Sequence, residues 1–377
     1  MSKKKKKKLR VSFRKNRQAR TRQGGLTQKF EREGFEDDDS VRREQLSGKG
    51  ELAKKRTVIG QEVSGDSTGF SVLPEVDLEH CLSGRVLEVR GLISVVQTIE
   101  GKRYDCAVRR LLKTLQTDQR HVVAVGDEVQ FRPDGDEGLI ERIEPRRGVL
   151  ARTSRDRQHV LVANVEKMVI VASAAEPDLK PHLIDRFLVA AEQAEIEPVI
   201  CVNKMDLAQP RSLQPLIGVY AQMGYEVLQV SATDGLNLTQ LRGVLRDRAT
   251  VVVGQSGVGK SSLLNAVEPD LGLRVSAVSR ETKKGRHTTT TARLIPLSGG
   301  GFIVDTPGIR QFALWDVASQ EVAGLFRDIR PLVGYCRFPD CTHTHEADCA
   351  VKDSVADGRL DARRYDSYCH MRRDDNH

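Results

Sequence analysis

Two short motifs carry the chemistry this sequence offers, and their order along the chain is as informative as their content. Gly254-Gln255-Ser256-Gly257-Val258-Gly259-Lys260-Ser261-Ser262 has the glycine, lysine and hydroxyl spacing of a phosphate-binding loop. The apolar run 251–253 before it reads as a strand, and residues 262–267 after it have helical character. Strand, loop and helix in that order aim backbone N–H groups and a helix N-terminus at phosphates. Lys260 would neutralise the β- and γ-phosphates, and the Ser261 hydroxyl would complete a Mg²⁺ shell. An ATPase or a small-molecule kinase could use the same loop.

Asn203-Lys204-Met205-Asp206 decides between them. The motif ends a buried-looking apolar run, 198–202, that suits a parallel sheet. The Asp206 carboxylate can accept from both N1–H and N2–H₂ of guanine; adenine lacks that donor pair and would leave a desolvated acid unpaired. Asn203 can touch the base and brace the phosphate loop, while the stem of Lys204 packs over the ring. A second strand-like run, 226–230, leads into Ser231-Ala232, where a backbone N–H can meet guanine O6. In an ordinary GTPase the phosphate loop precedes the base-reading motif. Here it follows, so the domain reads as circularly permuted, with its new ends beside the switch segments.

Two further segments complete the set. Residues 302–304 run into Asp305-Thr306-Pro307-Gly308, where Asp305 would hold Mg²⁺ through water and the Gly308 N–H would sense the γ-phosphate. Gly285-Arg286-His287-Thr288-Thr289-Thr290 is polar and suited to a switch; Thr289, in preference to Thr290, is the expected Mg²⁺ ligand. Ile309 stands where many GTPases carry a glutamine that orients the attacking water, so intrinsic hydrolysis should be slow. His287 is the nearby candidate for that catalytic role, with a mobile partner contact as its alternative.

The order NKxD, Ser-Ala, GxSGVGKSS, GRHTTT, DTPG resembles the small-ribosomal-subunit-dependent GTPase A family, the RsgA/YjeQ type, over roughly residues 80 to 370. The resemblance implies an OB-fold barrel, a permuted GTPase domain and a zinc domain. It also implies action in late maturation of the small ribosomal subunit, which stimulates GTP hydrolysis.

The flanking segments can be read independently. Residues 82–150 hold five short strand-like runs, at 85–89, 92–96, 104–108, 125–131 and 138–143, at the spacing of a small barrel such as the OB-fold. Arg103, Arg109, Arg110 and Lys113 are its candidate RNA contacts, although aromatic stackers are scarce. Cys336, Cys341, His343 and Cys349 offer three thiolates and one imidazole within 14 residues, suited to a closed, structural zinc site. His345 competes on spacing, and the Cys-x-His pattern of the family selects His343. Cys81, Cys106, Cys201 and Cys369 are scattered and read as packing residues. The arginine-rich stretch 359–373 suits a helix touching RNA or protein, or a solvated helix with intrachain ion pairs.

The first 30 residues hold 13 of the 60 Lys and Arg and no acid, leaving 47 basic against 52 acidic residues in the rest. The formal charge of +8 is therefore a property of the tail. Such a segment cannot bury enough apolar surface to fold alone, and its expected role is salt-sensitive anchoring to RNA phosphates. No apolar stretch is long enough to span a bilayer, so a membrane partner is not expected.

The expected architecture is a disordered basic tail (1–78), an all-β OB-fold barrel (79–150), an α/β circularly permuted P-loop GTPase (151–315) and a small α-helical zinc domain (316–377). The expected protein is a cytoplasmic monomer that binds GTP/GDP with Mg²⁺, one structural zinc, the small ribosomal subunit and its rRNA. The alternative is a GTP-dependent RNA-binding module in which hydrolysis is incidental.

Overall fold

The computed structural model describes residues 8–12, 55–62, 72–74, 76–114, 122–154, 157–273, 292–305, 317 and 319–373. His287, Thr289, Thr290 and Gly308 lie outside these. The chain divides into two compact units, residues 1–164 with 291–294, and residues 165–290 with 295–377.

The first unit begins with β1 (Lys8–Ser12), β2 (Lys55–Glu62) and β3 (Val72–Pro74), paired antiparallel in that order. A wholly unstructured tail was the expectation; these three stretches depart from it. Each carries β-branched residues such as Val11, Val58, Ile59 and Val72, and strand pairing satisfies backbone groups without needing a large core.

Five strands follow: β4 (Leu82–Arg90), β5 (Ile93–Thr98), β6 (Arg103–Val108), then helix α1 (Arg110–Thr114), β7 (Glu128–Asp134) and β8 (Glu137–Ile143). They pair in the order β4-β5-β6-β8-β7, and β7 returns to β4, so the sheet closes and leaves no edge. Only β6 and β8 run parallel. Alternation of buried and half-buried positions along β5 points Ser94, Val96 and Thr98 inward. Val86, Val96, Tyr104, Phe131, Ile140 and Ile143 fill the interior. The barrel also buries a full ion pair: Arg146 Nε donates to Asp127 Oδ1 at 2.6 Å, with both side chains 0% exposed. The Ala124 N–H donates to the same carboxylate at 2.8 Å. A hairpin of β9 (Leu150–Ser154) and β10 (Arg157–Val162) ends this unit's chain before residue 164.

The second unit is built on β11 (Lys167–Ser173), β12 (Glu197–Asn203), β13 (Glu226–Gln229), β14 (Ala249–Val253) and, after β15 (Arg293–Pro296), β16 (Phe302–Asp305). The order β13-β12-β11-β14-β16 is parallel throughout. Its central strands are apolar on both faces, as helices on both sides require. One face, with Val169, Val171, Val199 and Cys201, packs against α4 (Leu238–Leu245) and α5 (Lys260–Val267). Helix α2 (Pro181–Gln193) also packs on β11 and β12. It starts at a proline, whose missing N–H costs nothing there, and buries Ile184, Phe187, Leu188 and Ala191 at helical spacing. Helix α3 (Pro210–Gln222) supplies the buried Tyr220.

The same unit continues into α6 (Val322–Leu325), a 3₁₀ turn (Arg330–Tyr335), α7 (Ala350–Ala356) and α8 (Ala362–Arg373). Among the described residues between 317 and 326, only those of α6 are helical. Gly324 lowers helix propensity there, and the chain leaves α6 extended at Phe326 so that Arg327 and Asp328 can reach partners. Phe326 meets Tyr368 edge-to-face at 5.8 Å, in a core that includes Val189 of α2. The arginine-rich α8 is not simply solvated. Arg364 is 2% exposed, donates to Asp185 Oδ1 of α2 at 2.6 Å and bonds Asp328 at 2.9 and 3.0 Å, while Tyr220 OH reaches the same Asp185 oxygen at 2.8 Å.

Candidate nucleotide site and metal centre

Because all five strands of the second sheet are parallel, their carboxyl ends share one edge. Open α/β sheets bind ligands there. Asn203 ends β12, Ser231 and Ala232 follow β13, Gly254 follows β14, and Asp305 ends β16. The chain thus folds these candidate residues from four separate segments onto one sheet edge.

The phosphate loop passes from β14 to α5, whose first residue is Lys260. Two glycines are required by geometry. Gly254 has φ +140°, and a Cβ on it would lie 2.1 Å from the Val171 carbonyl oxygen of β11. Gly259 has φ +92°, and a Cβ on it would lie 2.6 Å from Asn203 Nδ2. That contact exists because Asn203, 1% exposed, donates from Nδ2 to the Val258 carbonyl at 2.9 Å. Lys204, in the left-handed region at φ 64°, donates from Nζ to the Gly257 carbonyl at 2.8 Å. Two side chains of one motif therefore fasten it to the loop. Lys260 Nζ donates to the carbonyls of Gly254 and Gln255 at 2.8 and 2.7 Å, which keeps its cation at the loop mouth. Gln255 and Ser256 lie in the loop's first turn, and Ser261 and Ser262 in the first turn of α5.

Asp206 leaves β12 on a 3₁₀ turn whose Met205 is buried. The Ser231 hydroxyl, fully buried, donates to Asp206 Oδ1 at 2.6 Å, while its oxygen accepts from the Asp234 N–H at 3.1 Å. From sequence, only the backbone of Ser231-Ala232 had a role; the hydroxyl that sets the carboxylate was missed, although a Ser beside a strand end is a signal for it. Ala232 is half-buried beside it. The proposed roles of His287, Thr289 and Gly308 fall on residues outside the described set.

The four candidate metal ligands converge. One ligand atom each from Cys336, Cys341, His343 and Cys349 lies within 4.8 Å of the others. Cys336 Sγ is 3.8 Å from Cys349 Sγ and 3.3 Å from His343 Nδ1, and Cys349 Sγ is 3.5 Å from that nitrogen. Burial lowers the His343 imidazole below its usual pKa, which favours the neutral form that ligates metals. His345 points elsewhere and is 81% exposed. The loop is held from behind: Tyr365 and Tyr368 of α8 donate to the carbonyls of His343 and Thr342, each at 2.8 Å. Glu346 accepts from the N–H groups of Thr342 and Thr344 at 2.7 and 3.1 Å. This cluster can hold a metal ion. Cys106 and Cys201 are buried thiols pushed up to about 12 by desolvation, which fits packing rather than reactivity.

In the barrel, Arg109 is not a free cation: it and Arg132 both pair with Glu141, which is 6% exposed. Arg103 remains exposed, bonded to Gln97.

Comparison with known proteins agrees with this geometry. The family model described as RsgA GTPase matches residues 143–315. A small ribosomal subunit biogenesis GTPase RsgA of Sodalis glossinidius is 40% identical over 76% of this chain and 83% of its own length. Its namesake in Chlorobaculum parvum is 37% identical over 77% and 97%. The chain belongs to the RsgA GTPase family. It is accordingly a GTPase, a hydrolase. Among solved structures, YjeQ from Thermotoga maritima superposes with a TM-score of 0.65 at 32% identity, over 78% of this chain and 98% of that one. YloQ, described as a circularly permuted GTPase, gives 0.62 at 31% identity, over 80% and 96%. The permuted order, the closed barrel and the cysteine-histidine cluster expected from sequence all stand.

Proposed function

We propose that this GTPase acts in maturation of the small ribosomal subunit, binding its rRNA, and that contact with the subunit activates GTP hydrolysis. The relatives' names carry the partner. The observation that supports the nucleotide assignment is that Asn203 and Lys204 bind the phosphate loop while Asp206, held by the Ser231 hydroxyl, leaves the same strand end. Asp206 reads the guanine N1–H and N2–H₂ edge, Ser231 fixes its carboxylate, and the Ala232 N–H meets O6. Residues 254–262 cradle the phosphates, with Lys260 placed to neutralise charge that grows on the β–γ bridge in the transition state.

Ser261, Asp305 and Thr289 would hold Mg²⁺, which supplies charge neutralisation at the β- and γ-phosphates. Gly308 would sense the γ-phosphate, and His287 would orient water once the subunit places it. Cys336, Cys341, His343 and Cys349 would hold zinc. A tetrahedral site with ordinary Zn–S and Zn–N lengths has S···S and S···N edges of about 3.8 and 3.6 Å; the separations of 3.3 to 3.8 Å among Cys336, His343 and Cys349 fit them, and Cys341 completes a set whose ligand atoms lie within 4.8 Å of one another. With four protein ligands no position remains for water, so the metal's role is structural. A cytoplasmic setting and a monomeric state complete the reading; among the described residues no helix is long and apolar enough to cross a membrane.

The base assignment is tested by Asp206→Asn. Its expected effect is to weaken GDP binding by a hundredfold or more, on the order of the 2–4 kcal/mol of an unpaired buried polar edge, and to favour xanthosine diphosphate instead. Unchanged preference between the two nucleotides in a competition assay would remove Asp206 from the base pocket.

A further inference from the structure

The turn after β11 contains none of the motifs that mark the nucleotide site, yet two of those motifs rest on β11 and this turn. The first phosphate-loop glycine, Gly254, packs so closely over β11 that a Cβ would strike the Val171 carbonyl. The Ala174 N–H donates to the Asn203 carbonyl at 2.8 Å, continuing the register in which Ser173 pairs with Asn203. The Glu176 carbonyl accepts a hydrogen bond from Lys204 Nζ. Lys204 thus spends one donor on the phosphate loop, at Gly257, and another on this turn. Ser173 holds the turn in shape. It is 1% exposed; its hydroxyl donates to the Glu176 carbonyl at 2.9 Å and accepts from the Ala175 N–H at 3.4 Å.

We infer that Ser173 is a positioning residue for the nucleotide site: its hydroxyl fixes the Glu176 carbonyl, which in turn holds the Lys204 ammonium against the phosphate loop. The inference rests on the nucleotide-site reading above. The physical reasoning is short. A lysine ammonium on four rotatable bonds is held in one place only if its hydrogen-bond acceptors are themselves fixed. Gly257 belongs to the loop against which Lys204 is to be held, so the fixed point must lie outside it. Glu176 serves, because a buried hydroxyl and a strand end define its position. Removing the hydroxyl frees that carbonyl, and Lys204 loses its anchor without losing its charge.

The test is a double-mutant cycle on release of a fluorescent GDP analogue, measured by stopped flow on the full chain. Ser173→Ala is expected to speed release about tenfold in the wild-type background, the scale of one buried hydrogen bond. In a Lys204→Met background the same change is expected to alter release by less than twofold, because the group it positions is gone. Acceleration of equal size in both backgrounds would overturn the inference, since it would mark a general loosening of β11; so would an unchanged rate in the wild-type background. If Ser173→Ala yields no folded protein, the near-isosteric pair Ser173→Thr and Ser173→Val replaces it, and the variant lacking the hydroxyl is expected to release faster. Lys204→Met releasing nucleotide at the wild-type rate would instead overturn the site reading itself, and the inference with it.

Discussion

At the residue scale, side chains are fixed by small, countable constraints. Ser231 and Asp206 exchange one short hydrogen bond, Asn203 and Val258 another, and each joins segments far apart in sequence. Gly259 shows how little room remains: its φ of +92° is strained for any L side chain, and an added methyl would meet Asn203 Nδ2 at 2.6 Å. Gly259→Ala should therefore weaken GDP binding at least tenfold by displacing Asn203 or the loop, as titration calorimetry would show; affinity within twofold of wild type would mean that the loop has slack the geometry denies it. The candidate motifs were legible in the sequence because phosphate and guanine chemistry restrict the types allowed at fixed spacing, and the fold gathers Asn203, Ser231, Gly254 and Asp305 at one sheet edge. The supports were not. Ser173, Glu176 and Asp185 belong to no motif, and only the fold brings them to Lys204 and Arg364.

At the scale of elements, periodicity told strands from helices where packing agreed with it. The five barrel strands fall within a few residues of their sequence signals, since each alternates toward one core. The segment around α6 did not, because Phe326, Arg327 and Asp328 are placed by distant partners in α2 and α8. The Arg146–Asp127 pair was equally invisible: its two residues are 19 apart and look like surface charges. Both are fully buried, so removing one strands the other. Asp127→Ala should cost about 3–5 kcal/mol of barrel stability in urea unfolding, whereas replacing both residues by apolar ones should cost far less. A loss below 1 kcal/mol for the single change would show that the pair is solvated in a way its burial does not allow.

At the scale of the molecule, the second unit carries the candidate nucleotide and metal sites over two apolar clusters, one on the parallel sheet and one joining α2 to α8. The cysteine-histidine loop rests on α8 through Tyr365 and Tyr368, and α8 rests on α2 through Arg364 and Asp185. Metal removal with a strong chelator should therefore expose amide hydrogens in 336–349 and along α8, read by hydrogen exchange, while β11 and β12 stay protected. Protection unchanged throughout would mean that the cluster holds no structural metal. The acidic balance of everything beyond the first 30 residues puts the proposed salt-sensitive attraction to RNA on the basic tail.

A permuted GTPase without a glutamine after its DTPG motif is expected to depend on a ribosomal partner to hydrolyse GTP. GTP turnover by the full chain, alone, with purified small subunits and with large subunits, tests it most directly. Slow intrinsic turnover raised many-fold by small subunits only is the predicted result. Equal turnover in all three conditions would contradict the account and leave a GTPase without this activator.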